Sequence, residues 1–431
     1  MEAPSSRRHF LGAVASAALL PVGVKATPFR QSSVLHAKEF GVKGDGSIET
    51  TAIQAAINAA VERRLPIYWP EKLRTGGLEI PGPIAMIGTA GMTTFDMIPG
   101  TYVSIRLASS DITMQNFIIE SRQKSGGIDF QYFLGNTEKR RLSLSNILVR
   151  DSHGIIEDVG TGHARHIDTE MNNVRSERLR GDGFKFSRAF AYIFLKKCSA
   201  DFVGVSTNAR GFSFDGSTLP EPDEGGISME DCNVLGSATQ FESAVAKQRG
   251  FHFEDITSVA TRECKADGLG ELGWALTNVR DFDAVMVSSS HCALGQFQLD
   301  NVTGARLTGY KAIGRRLSAL SYHPANADGL KLLGQCDDIQ CVNGLSRDNM
   351  GHSLSKDCSH SGNILVSSTI LRFAGKRNLH TRGNSPFHFT GGAMNAGALG
   401  DFDLGGPNDH ITDTQFNDGS IGSAGPGPEI G

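Results

Sequence analysis

The chain has 431 residues, with 42 Lys and Arg against 46 Asp and Glu, a formal net charge of −4. That near balance, without a concentrated basic patch, excludes a nucleic-acid footprint. Seven cysteines in so long a chain exclude a disulfide scaffold, and no Cys/His spacing reads as a zinc site.

Residues 1–26 read as an export signal. Arg7 and Arg8 form a twin-arginine pair, followed by Phe10, Leu11 and an apolar stretch from Gly12 to Leu20. That stretch is too short to span a bilayer. Val24 and Ala26 supply the small residues of a cleavage region. A charged start, a short apolar centre and small residues before the cut define a secretory signal, and the paired arginines point to twin-arginine export. The expected destination is the periplasm or the medium. No later run is long and apolar enough to cross a membrane.

The first helix signal lies at 50–61, with apolar residues at 53, 56, 57 and 60 and start chemistry from Glu49, Thr50 and Thr51. Beyond it, a phrase recurs: Gly followed by alternating apolar residues. Gly183-Phe-Lys-Phe, Gly211-Phe-Ser-Phe, Gly250-Phe-His-Phe and Gly329-Leu-Lys-Leu are examples. Gly226, Gly250, Gly273 and Gly295 stand 24, 23 and 22 residues apart. Period-two alternation indicates strands with one buried face, and a fixed step of this size indicates a solenoid. Phe251, Phe253, Leu276, Leu299 and Val302 are expected inside. A second phrase places Asn or Asp before an apolar residue, as in Asn146-Ile147, Asn173-Val174, Asp255-Ile256, Asn278-Val279 and Asn301-Val302. Asn tolerates left-handed backbone, so these positions predict one tight corner per coil, laddered along the stack. Longer steps of 34 and 33 residues from Gly295 to Gly329 and Gly362 predict coils with protruding loops, which often mark a solenoid's binding face. The Gly/Pro-rich end, 421–431, is expected to be disordered.

Residues 38–60, with Phe40, Gly41, Gly44, Asp45, Gly46, Thr51, Ala52, Ile53, Ala55, Ala56 and Ile57, resemble the opening of the pectate-lyase-superfamily domain. The whole arrangement is similar to exported repeat proteins of Gram-negative bacteria. The resemblance implies an all-β fold over 34–420: a single-stranded right-handed parallel β-helix with an N-terminal capping helix. It gives the Asp45 segment a structural role. The same fold hosts lyases, hydrolases, epimerases, tailspikes and adhesins, so function must be argued from a site.

The richest polar stretch is 322–360. Its order, Asn326, Asp328, Gly329, then Asp337-Asp338, then Gly351-His352, resembles the polygalacturonase-type glycoside hydrolases. That resemblance implies Asp328, Asp337, Asp338 and His352 as catalytic residues converging in one groove; His323, Arg347 and Lys356 are the candidates to meet substrate. Inverting glycosidases need an acid and a water-activating carboxylate. The chain departs from the pattern: Ser353 replaces the second Gly of Gly-His-Gly, and no Arg-Ile-Lys follows. Asp328 and Asp337 are nine residues apart and Asp338 and His352 fourteen, where groups on neighbouring coils should be a full coil apart. The competing structural reading has Asp337-Asp338 turning a corner.

A lyase instead needs a base, here Lys331, Arg347 or Lys356, and a carboxylate neutraliser. Asp337, Asp338 and Asp348 would hold Ca²⁺ in that role; otherwise no cofactor is expected. His163, His166, Asp168 and Glu170 form a second polar cluster, and Arg315-Arg316 is a candidate contact for an acidic glycan. The expected partner is a polysaccharide or oligosaccharide, and the expected function is that of a polysaccharide lyase or glycoside hydrolase. The alternative is a non-catalytic glycan-binding or surface-structural β-helix, against which the scarcity of Trp (two) and Tyr (six) weighs.

Overall fold

The computed structural model describes residues 34–121, 128–134, 140–160, 167–186, 192–202, 208–216, 226–236, 247–314, 327–358, 362–383, 386–395, 402–405 and 409–416. The segment 1–26, expected to be an export signal, and the tail 421–431 lie outside them.

The chain winds as a right-handed parallel β-helix. Each of the later coils gives one strand to a 13-stranded sheet and two to a 26-stranded sheet. Leu272–Thr277 joins the first, and Arg280–Val285 and Ser288–Ser290 join the second. Neighbouring coils pair in parallel with matched register, as in Phe251↔Trp274↔Phe297↔Leu330.

That register explains the Gly-apolar phrase. Phe184, Phe212, Phe251 and Trp274 fall at one inward position and stack at centroid distances of 4.5, 5.1 and 4.1 Å. Phe186, Phe214 and Phe253 form a second stack two residues on. Such ring pairs contribute about 0.5–1.5 kcal/mol each beyond their buried area. Phe251, Phe253, Leu276, Leu299 and Val302 are all buried, as their phrases require.

The corners also follow the sequence. Asn146, Asn173, Asp255, Asn278 and Asn301 all have positive φ, between 52° and 58°. Their side chains bridge coils: Asn146 Nδ2 donates to Asn116 Oδ1 (3.1 Å), Asn173 to Asn146 (2.9 Å) and Asn278 to Asp255 Oδ1 (2.8 Å). A ladder of this kind satisfies side-chain amides that the corner half-buries.

The helix Thr50–Arg63 buries Ile53, Ala56, Ile57 and Ala60. It also covers an edge. Leu78–Ile80 is the terminal strand of the 13-stranded sheet. Gln54 Nε2 donates to the Glu79 carbonyl (2.8 Å), and the Glu79 N–H donates to Gln54 Oε1 (3.0 Å). One side-chain amide thus replaces the missing neighbouring strand, and an open edge is blunted. Glu49, just before the helix, accepts the N–H groups of Lys43 (2.6 Å) and Gly44 (3.1 Å), holding the Gly44-Asp45-Gly46 turn. None of the described helices is long and apolar enough to cross a membrane.

Candidate functional site

The outer face of the 13-stranded sheet carries the densest functional chemistry. Along it, one outward position runs from His252 through Gln298, Lys331, Ser355 and His380 to Asp403.

At the C-terminal end of this row, four coils meet. Asp328 opens the strand Asp328–Gly334 and reaches across one coil. Its Oδ1 accepts the His352 N–H at 2.7 Å and its Oδ2 accepts the Ser355 hydroxyl at 2.9 Å. Beside it Gly329 packs tightly: a Cβ there would lie 2.1 Å from Ser346 Oγ and 2.5 Å from the Ser353 carbonyl oxygen. The His352 ring then stacks on His380, with centroids 4.5 Å apart and planes 13° from parallel. His352 Nδ1 accepts the Arg377 N–H at 3.3 Å. His380 Nδ1 lies 3.1 Å from Asp403 Oδ2. Arg377 Nε stands 3.7 Å from the same carboxylate.

These partners assign the protons. His352 Nδ1 is an acceptor, so its proton sits on Nε2. His380 donates from Nδ1 to a carboxylate, so its Nε2 carries a lone pair. Burial pushes His352 down to about 4; the His380 and Lys376 charges act in the same direction and Asp328 opposes them. Burial also lowers His380, against the pull of Asp403. Both rings are therefore neutral at pH 7, one offering a proton and the other a lone pair. That is the equipment of paired acid and base catalysis.

A third histidine, His252, lies five coils from His380 on the same row, roughly 24 Å at the usual strand spacing. His252 is 4% exposed, with Nε2 3.2 Å from Glu254 Oε2. Its Nδ1 is buried with no hydrogen-bond partner among the described residues. Burial, then Arg210 and Arg249, push it to about 4. Arg249 pairs with Glu271.

The structure brings Asp328 and His352 together and leaves the other described candidates elsewhere. Asp337 and Asp338 are exposed at the corner after Asp328–Gly334, Asp338 with φ of 50°. Nine residues of chain turn from one face to the next; they do not cross to a neighbouring coil. Groups that do meet are 24, 25 and 23 residues apart: Asp328 and His352, His352 and Arg377, His380 and Asp403. Arg347 lies on Leu345–Arg347 in the other sheet, 3.7 Å from its neighbour Asp348. Lys356, expected to meet substrate, instead points into the core. It occupies the inward position of Leu299 and Leu332 and is fully buried, its Nζ 3.2 Å from the equally buried Asp409 Oδ1. His323, Asn326, Arg315, Arg316, His163 and His166 lie outside the described residues. Asp168 and Glu170 are on Ile167–Glu177, in the other sheet. Among the described residues, no group of three His, Cys, Asp or Glu side chains is placed to hold a metal ion.

His380, Asp403 and Arg377 are the members that sequence reasoning missed. The signal was one coil step: each stands 23–25 residues from a partner.

No protein-family description matches the sequence, and no curated protein matches it. Solved structures do. Bacteriophage CBA120 tailspike protein 3 is similar over 92% of this chain and 59% of its own, at 12% identity and a TM-score of 0.50. The Azotobacter vinelandii mannuronan C-5 epimerase AlgE4 A-module is similar over 92% of this chain and all of its own, at 14% identity and a TM-score of 0.38. A point mutant of the periplasmic alginate epimerase AlgG is similar over 82% of this chain and 77% of its own, at 8% identity and a TM-score of 0.33. At these identities the likeness is one of fold.

Proposed function

We propose that this protein is an exported enzyme that cleaves an acidic polysaccharide by elimination at the outer face of the 13-stranded sheet. The observation that carries the reading is the stacked His352–His380 pair with opposite tautomers. His380 Nε2 takes the proton on the carbon next to the sugar carboxylate. The glycosidic C–O bond breaks as the carbon–carbon double bond forms. His352 Nε2–H gives its proton to the leaving oxygen. Asp403 orients His380, and Asp328 fixes the backbone of His352. Lys331 and Arg382, outward on the strands either side of Leu354–Cys358, supply positive charge for the substrate carboxylate. A parallel β-helix face is a long, straight surface, which suits a linear polymer. Asp337, Asp338, Arg347 and Lys356 take no part in this reading.

A polysaccharide panel tests it, with unsaturated-product absorbance and reducing ends read in parallel. Elimination raises both together. Reducing ends without absorbance would make the protein a hydrolase, and binding without either would make it a glycan-binding protein. The same reading places the protein outside the cytoplasm. Replacing Arg7 and Arg8 by Lys is expected to strand the precursor inside the cell, and undiminished export would refute the twin-arginine route.

A further inference from the structure

We propose that His388 and His410 chelate a copper(II) ion on the outer face of the 26-stranded sheet, apart from the polysaccharide chemistry of the other sheet. The two side chains stand on successive coils. The strands Phe387–Thr390 and Asp409–Thr412 pair in parallel, with His388 and His410 in direct register. Their strand neighbours Phe387, Phe389, Asp409 and Ile411 are all buried, so alternation turns both histidines outward. Their ring centroids lie 5.1 Å apart, with planes 16° from parallel.

Other histidines already have a ring nitrogen engaged. His352 Nδ1 accepts the Arg377 N–H, and His380 Nδ1 meets Asp403. His252 Nε2 faces Glu254, and His291 Nδ1 faces Asp267. The rings of His388 and His410 stack on each other and make no hydrogen bond or ion pair to any described residue. Both nitrogens of each ring are open to a ligand from that side.

The separation fits one ion held between two rings. An imidazole nitrogen binds such an ion at about 2.0 Å, which puts the ion about 3.1 Å from the ring centre. Two rings on one ion then have centres about 4.4 Å apart at a right-angled N–metal–N and about 6.2 Å apart at a linear one. The observed 5.1 Å falls between these limits. The nitrogens need only turn from parallel to convergent. Rotation about χ2 does this at small cost, because that torsion is broad in histidine. It leaves the ring centres nearly in place, since the Cβ–Cγ axis runs through them.

The ligand count selects the metal. Structural zinc takes four protein ligands and catalytic zinc three. Among the described residues no third His, Cys, Asp or Glu completes such a set here. Copper(II) accepts a tetragonal set of nitrogen and oxygen ligands, so two imidazoles and water suffice, and it heads the affinity order of the divalent first-row metals.

The test is calorimetric titration of untagged protein with copper(II) held by glycine. Ascorbate oxidation of the loaded protein in air and peptide mapping then locate the ion, since radicals formed at bound copper add oxygen to its histidine ligands. One binding event is expected to disappear when His388→Gln and His410→Gln are combined, with the melting temperature of the copper-free protein unchanged. Each single variant is expected to weaken that event about 10²-fold, as one arm of a chelate is lost. The peptides carrying His388 and His410 are expected to gain oxygen in the parent. A double variant that binds as much copper as tightly as the parent, or oxidation confined to other histidines, would overturn the proposal.

Discussion

His352 and His380 stack at 4.5 Å and turn the same nitrogen to the protein in opposite roles: Nδ1 of His352 accepts the Arg377 N–H, and Nδ1 of His380 donates to Asp403. Two like rings thus acquire unlike chemistry from their neighbours. The arrangement makes Asp403 a positioning residue. Asp403→Asn is expected to lower kcat at least tenfold and to leave KM and the melting temperature nearly unchanged. The pH profile would shift as His380 loses the carboxylate that holds its protonated form up. An unchanged pH profile in that variant would remove Asp403 from the site.

Acid should destabilise the fold through His252. Burial lowers its folded pKa from the ordinary 6.5 to about 4. The unfolded chain therefore binds more protons across this window, and stability is lost as pH falls from 6.5 towards 4. The full contribution is roughly 3 kcal/mol. His252→Gln should flatten that part of the pH–stability curve in denaturant titrations. A variant with the same slope as the parent would show that His252 is not the group responsible.

Asp129 works in the opposite sense. Burial raises it to about 6 despite hydrogen bonds from Ser121, Ser152 and Ser104, the last at 2.8 Å. The folded state holds this proton more tightly than the unfolded one. Stability therefore falls as pH rises from 3.8 to about 6 and stays reduced above. Asp129→Asn should melt higher than the parent at pH 7.5, with the gap closing near pH 4. A gap that is constant with pH would rule this out.

Lys356 and Asp409 form an ion pair in the core, and Thr381 Oγ also donates to Asp409, at 2.5 Å. Removing one partner strands a buried charge, at a cost of about 3–5 kcal/mol. Lys356→Leu is expected to destabilise by that order, and Lys356→Leu with Asp409→Val to recover most of the loss, since Leu continues the column of Leu299 and Leu332. Losses in chemical denaturation that simply add would contradict the pairing.

The sequence disclosed what repeats and concealed what happens once. Alternation and the 22–24-residue steps placed Phe251, Phe253 and Leu299 inside, because each inward site is defined by its copies in adjacent coils. The Asn corners were legible for the same reason. Lys356 was not: the alternation of Leu354–Cys358 sets it inward, yet a lysine there is tolerated only because Asp409, 53 residues on, meets it from the facing sheet. The site was half legible. Asp328 and His352 are one coil apart and touch, whereas Asp337 and Asp338 drew attention through nearness in sequence, which in a solenoid separates side chains by face. His380 and Asp403 carry no local motif and become visible only when the register is counted.

The most direct test is the rate at which unsaturated ends appear when wild type and His380→Gln act on the acidic polysaccharide that the panel identifies, at saturating substrate and pH 7. With His380 as the base, the variant retains binding and melting temperature and loses about 10²–10⁴-fold in rate. A variant that forms unsaturated ends as fast as wild type would contradict the assignment of His380 and, with it, the placement of catalysis on this face.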